Sequence, residues 1–196
     1  MHKQWKRLPH IDSPELIQLI TFRLNDALPA PVQRELRLRH EIEEPSVPIE
    51  VAIDSSLDEG YGECVLASPE AASILESTLL HGHGDAYTLL AWIIMPNHVH
   101  ALVHIAPRST LSDVVQSWKS VTAHRINRRL GRSGKLWQQD YFDRYMRDGR
   151  HIGRTIDYIH DNPVKAGLCN RPDTWRFSSA HPSKGWDPWA WLTERW

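Results

Sequence analysis

The 196-residue sequence predicts an α+β protein with a ferredoxin-like split βαβ core, an antiparallel sheet with helices on one face, followed by a further helix. Three observations predict it. Apolar stretches of strand and helix period follow one another in the order strand, helix, strand, strand, helix, strand. The two middle strands are separated only by the turn residues Pro96-Asn97. Each intervening helix opens on a hydroxyl cap and ends on glycine.

The first strand is ELIQLITFRL, residues 15–24, a β-rich apolar stretch after Ser13-Pro14. Residues 25–68 then read as an acidic, proline-rich insertion, an excursion from the core with a short helix over 33–43. SPEAASILESTLLHGHG is the first core helix, with Ser68 as N-cap, Pro69 at the first helical position and a glycine stop. YTLLAWIIM and HVHALVHI form a hairpin around Pro96-Asn97. The second core helix opens on Ser or Thr and has apolar residues at Leu111, Val114, Val115, Trp118, Val121, Ile126 and Leu130 before Gly131. YFDRYMR supplies the fourth strand. A third helix starts at Asp148-Gly149 and is expected to stop near Asn162, ahead of Pro163. The tail, 181–196, holds Trp186, Trp189, Trp191 and Trp196, read as a packed cap. The whole chain reads as one domain, with neither internal repeats nor low-complexity segments.

Composition narrows the function classes. There is no long apolar run for a membrane helix and no apolar segment near the N-terminus for a signal peptide, so no membrane partner is expected. Two cysteines far apart, Cys64 and Cys169, argue against a disulfide framework or a thiolate zinc site and fit a reducing cytoplasm. The net charge of −1 hides an asymmetry: residues 26–70 hold 11 acidic and 3 basic side chains, residues 108–184 hold 15 basic and 7 acidic. Between 119 and 135 there are six basic residues (Lys119, Arg125, Arg128, Arg129, Arg132, Lys135) and no acid. A one-sign run suits a polyanion such as nucleic acid, the other reading being a solvated helix face.

In the second hairpin strand His98, His100, Leu102 and His104 share one parity. His98 and His100 therefore lie side by side on one face, taken as open, where two imidazoles converge on a point that suits a divalent metal. The other reading is a pair of half-exposed strand residues with no role. His104 is carried roughly 20 Å along the strand from His98 and reads as structural. In DYIHDNPVKAGL, Tyr158 and Asn162 share a helix face at i and i+4. Two histidines and one oxygen ligand leave positions on a metal for water and substrate, and a tyrosine beside it can act as nucleophile. Spacing alone gives no reaction.

The segments MPNHVHALV, LSDVVQSWKS, LWQQDYFDRYMRD and YIHDNPVKAGL, together with WRFSSA, resemble the single-tyrosine (Y1) transposases of the IS200 type, and more closely the REP-associated tyrosine transposases. The resemblance covers residues 16–180 and implies the same ferredoxin-like core with a nucleophile-bearing C-terminal helix. It implies that His98 and His100 bind Mg²⁺ or Mn²⁺, that Tyr158 is the nucleophile, and that Asn162 is a further ligand. The implied reaction is nicking and rejoining of single-stranded DNA through a 5′-phosphotyrosine, on palindromic repeats folded as hairpins, by a monomer or a homodimer. With that substrate, Lys119, Arg125, Arg128 and Arg129 become candidate phosphate contacts. Trp137 and Tyr141 become candidate base-stacking rings. Arg144 and Lys165 could reach the scissile phosphate. The alternatives are a DNA-hairpin-binding protein of the same fold that does not cut, a metal hydrolase using water as nucleophile, and RNA as the substrate. The acidic insertion has no assigned role, unless it restrains DNA access to the basic face.

Overall fold

The computed structural model describes residues 15–42 and 49–195. Four strands, β1 (Ile17–Arg23), β2 (Tyr87–Ile94), β3 (His98–Ile105) and β4 (Phe142–Tyr145), form one sheet in the order β2-β3-β1-β4, every pair antiparallel. Among the described residues six α-helices accompany it: α1 (Ala30–Ile42), α2 (Ile49–Asp58), α3 (Pro69–His81), α4 (Leu111–Arg129), α5 (Gly149–Lys165) and α6 (Pro188–Thr193). The order β1-α3-β2-β3-α4-β4 is the split βαβ pattern that the sequence predicts.

The sheet separates two cores. On one face Ile20, Phe22, Leu89, Trp92, Val99, Ala101 and Val103 pack against Leu75 and Leu79 of α3 and Val114, Val115, Trp118 and Ile126 of α4. On the other, Leu19, Leu90, Ala91, Ile93 and Leu102 pack against Ile152, Ile156 and Ile159 of α5 and Leu192 of α6. The face expected to be open is thus covered. α5 is amphipathic at i, i+4 and i+7, and that stripe must be buried somewhere; the apolar second face of the sheet receives it. A bulge in β2 helps. The register slips between Leu89 and Ala91, so Leu90 and Ala91 both join the α5 side.

Local chemistry sets the element ends. Ser68, Thr110 and Asp148 cap α3, α4 and α5, accepting from the backbone N–H of Ala71, Asp113 and His151. The predicted stop before Pro163 is wrong by three residues: α5 runs through Pro163 to Lys165. Proline removes one N–H, that toward the Ile159 carbonyl. The end is closed by Ala166 N–H donating to Asn162 O at 3.0 Å and Leu168 N–H to Pro163 O at 2.8 Å. This extra turn carries Lys165 to the site.

The insertion contains more structure than the sequence suggests. α1 matches the short helix expected over 33–43, whose last residue lies outside the described residues, but α2 falls where the sequence reads only as excursion. Ile53 and Leu57 of α2 are buried with the α3/α4 core, which seats the helix at the end of the sheet by the β2–β3 turn. Asn97 in that turn donates to Leu57 O at 3.0 Å and to Tyr61 O at 3.3 Å.

Residues 175–186 close the β2 edge. Ile94 N–H donates to Phe177 O, and Ser179 N–H to Trp92 O. Trp175 and Trp186 donate their indole N–H groups to Ile94 O and Leu90 O. Edge groups that could pair with another chain are thereby covered. Trp186 packs edge-on against Trp92 and Trp191 lies against His104, as a cap should, whereas Trp189 is 48% exposed and Trp196 lies outside the described residues. Among the described residues, no helix is long and apolar enough to cross a membrane.

Candidate active site

β3 and α5 bring the predicted residues together. His98 and His100 follow the turn on the α5 side of β3, opposite Arg23 and Thr21 of β1. Their rings meet at 4.8 Å between centroids. Neither is half-exposed, as the strand-residue reading supposes: both are 0% exposed, because α5 lies over them. Each Nδ1 has a partner. His98 Nδ1 is 2.8 Å from Asn97 Oδ1 and His100 Nδ1 is 2.8 Å from Thr21 Oγ1. The Asn97 NH₂ is committed to two carbonyls, so its Oδ1 must accept, and the proton of His98 sits on Nδ1. The Nε2 atoms of both rings are buried without a hydrogen-bond partner.

Burial holds both imidazoles neutral, with values lowered to about 3. At His98 the neighbouring His100 adds to the effect and Asp54 opposes it; at His100 Lys165 adds to it. Two neutral rings, each fixed through Nδ1 and each with an orphaned Nε2, form a donor set that fits a divalent cation. Among the described residues no group of three or more His, Cys, Asp or Glu side chains is placed to hold a metal ion.

Tyr158 of α5 lies against His100, rings 5.4 Å apart and edge-on. Its Oη donates to Asp54 Oδ2 at 2.8 Å. Burial first, then the charge and hydrogen bond of Asp54, push the phenol above its ordinary value. Asn162, one turn on, is buried, and its NH₂ donates to Tyr158 O at 3.2 Å. Its side chain acts on both His98 and Tyr158, which places it between them. The Lys165 ammonium stands 4.7 Å from the Tyr158 ring centroid. Asp58, one turn after Asp54, is raised to about 6 by burial and then by Asp54, with Lys165 opposing. Sequence reasoning missed Asp54, Asp58 and Arg23. The carboxylates carried no signal beyond belonging to an acidic stretch.

The surface residues divide. Arg125, Arg128 and Arg129 on α4 are exposed. Lys119 is not a free cation: its Nζ donates to Gln139 O at 2.8 Å and Asp140 O at 3.5 Å, and burial lowers it to about 8. Trp137 is 6% exposed. Its indole N–H donates to Thr122 Oγ1 and its ring packs edge-on against Phe22, so it is a core residue and no base can stack on it here. Tyr141 is buried as well. Arg144 sits on β4 opposite Leu19 and acts on His151 at the start of α5. Arg132 is paired with Glu63, so part of the basic run is met by the acidic insertion.

Residues 74–162, a little under half of the chain, match the family model "Transposase IS200 like". This segment contains both histidines, Tyr158 and Asn162. The chain is 25% identical over 105 residues to a Haemophilus influenzae protein named as a putative REP-associated tyrosine transposase. It is 24% identical over 95 residues to the REP-associated tyrosine transposase of Escherichia coli K12. Both alignments cover 48% of this chain, and 60% and 55% of those relatives' own lengths. A solved structure of a REP-associated tyrosine transposase bound to a REP hairpin has the same fold. Its TM-score is 0.57 at 16% identity, over 94% of this chain and 89% of that one.

Proposed function

We propose that the protein nicks and rejoins single-stranded DNA through a covalent bond between Tyr158 and a 5′-phosphate, acting on palindromic repeat sequences folded as hairpins. The observation that carries this reading is the pair of orphaned, preoriented Nε2 atoms on β3, with a phenol from α5 lying edge-on against the His100 ring. The REP hairpin bound by the solved relative supports a repeat folded as a hairpin as the substrate.

His98 and His100 would hold Mg²⁺ or Mn²⁺ through Nε2, with the Asn162 amide oxygen as a further ligand. Imidazole donors favour Mn²⁺ over the more oxygen-seeking Mg²⁺. Bound there, the ion would supply polarisation of the scissile phosphate and help the 3′ oxygen depart. Asn97 and Thr21 orient the rings from behind. Tyr158 Oη attacks phosphorus and α5 holds it in place. Lys165, beside the phenol, offers a cation to the phosphate. Arg125, Arg128 and Arg129 contact backbone phosphates further along, which gives affinity with little sequence preference. Arg144 serves such a contact from the β4 edge.

The test is a labelled single-stranded hairpin taken from DNA flanking the gene, incubated with wild type or Tyr158→Phe, with Mn²⁺, Mg²⁺ or EDTA, and run on a denaturing protein gel. A metal-dependent labelled band at protein mass, absent in the variant, is the expected result. Hairpin binding with no band in any metal would instead establish a non-cleaving DNA-binding protein.

A further inference from the structure

The hydroxyl of Tyr158 is not left to solvent. It donates to Asp54 Oδ2 at 2.8 Å, and Asp54 comes from α2, outside the segment 74–162 that matches the transposase family. α2 is no loose flap at this point. Ile53, beside Asp54, and Leu57, one turn on, are buried in the core, and Asn97 ties the Leu57 carbonyl to the hairpin turn that also orients His98. The same amide thus fixes a metal-side ring and the helix carrying the carboxylate. Around this oxygen pair stand Arg23 of β1, His98 and His100 of β3, Lys165 of α5 and Asp58 of α2.

We propose that Asp54 is a further catalytic residue, the carboxylate that takes the Tyr158 proton as Oη attacks the scissile phosphate. This rests on the tyrosine reaction proposed above. The Oη–H bond breaks and its proton passes to Asp54 Oδ2. The Oη–P bond forms, and the P–O3′ bond breaks with its electron pair on O3′, which takes a proton from water to leave a free 3′-OH. In rejoining, an incoming 3′-OH attacks phosphorus and gives its proton to water, the P–Oη pair returns to Oη, and Asp54 gives back the proton. One carboxylate then serves both directions, as a general base and afterwards as an acid. The geometry also defines the rival role, a latch that merely holds Tyr158 away from DNA.

The two roles predict opposite results with the full chain, Mn²⁺ and the labelled hairpin. Asp54→Asn keeps a hydrogen-bond acceptor but is too weak a base to take the proton. Its adduct should form about 10²–10⁴-fold more slowly, with hairpin affinity unchanged. Asp54→Glu should remain well above Asp54→Asn, and formate should restore part of the rate to Asp54→Ala. A latch predicts that Asp54→Asn is as fast as wild type or faster, and that result overturns the proposal. Equal rates for the Asn and Glu variants overturn it too, even if the substitution perturbs folding. A wild-type protein that forms no adduct defeats the tyrosine reaction itself and this role with it. A wild-type adduct with an unimpaired Asp54→Asn defeats the role of Asp54 alone.

Discussion

His98 and His100 owe their chemistry to being covered, and this has a measurable cost at low pH. In the folded protein both stay neutral down to about 3, whereas in the unfolded chain each takes up a proton near ~6.5. Between those values the unfolded state binds more protons, so stability rises with pH. The contribution is present in full above about 6.5 and is lost as pH falls toward 3. Asp58 has the opposite sign: its folded value is raised to about 6, so its contribution is lost as pH rises through that range. Two rings outweigh one carboxyl. In EDTA, the urea midpoint should fall steadily from about pH 7 to about pH 4, and a His98→Asn, His100→Asn double variant should show a much shallower fall. The parity of these residues was legible in the sequence, and so was the shared face of Tyr158 and Asn162. Their burial was not, because the helix that covers them begins 49 residues after His100. Asp54 was less legible still: its hydrogen bond with Tyr158 spans 104 residues, and no local spacing announces it.

Among the elements, α4 shows how a charge run divides by the direction each side chain takes. Arg125, Arg128 and Arg129 are exposed, while Lys119 reaches down to the carbonyls of Gln139 and Asp140. Replacing one of the three arginines by alanine should flatten the dependence of log affinity on log salt by about 0.7–0.9 for each phosphate that is no longer neutralised. Lys119→Met should leave that slope unchanged and lower the unfolding free energy by about 1–2 kcal/mol. Filter binding across a salt series and urea titration separate the two. Caps and the hairpin turn made α3, α4, β2 and β3 readable, since Ser68, Thr110 and Pro96-Asn97 act within a few residues of themselves. Pro163 misled because a proline in a closing turn forfeits a single bond. Trp137 misled because whether an indole faces solvent or Phe22 is a tertiary matter.

For the molecule as a whole, the sheet separates two functions. One face and its two crossover helices form the larger core, and the other face carries the site under α5, with the 177–179 segment and the Trp175 and Trp186 indoles sealing the β2 edge. α5 reaches that site by burying Ile152, Ile156 and Ile159 on the sheet of its own chain, and a site built this way in solution would draw histidines and tyrosine from a single polypeptide. The consequence is kinetic. Adduct formation should be first order in protein, with a rate per molecule that does not change on dilution. Two crippled variants, His100→Ala and Tyr158→Phe, should remain inactive when mixed, since neither can lend the other its missing half. Recovery of half-site activity in the mixture would mean that the helix changes hands between subunits.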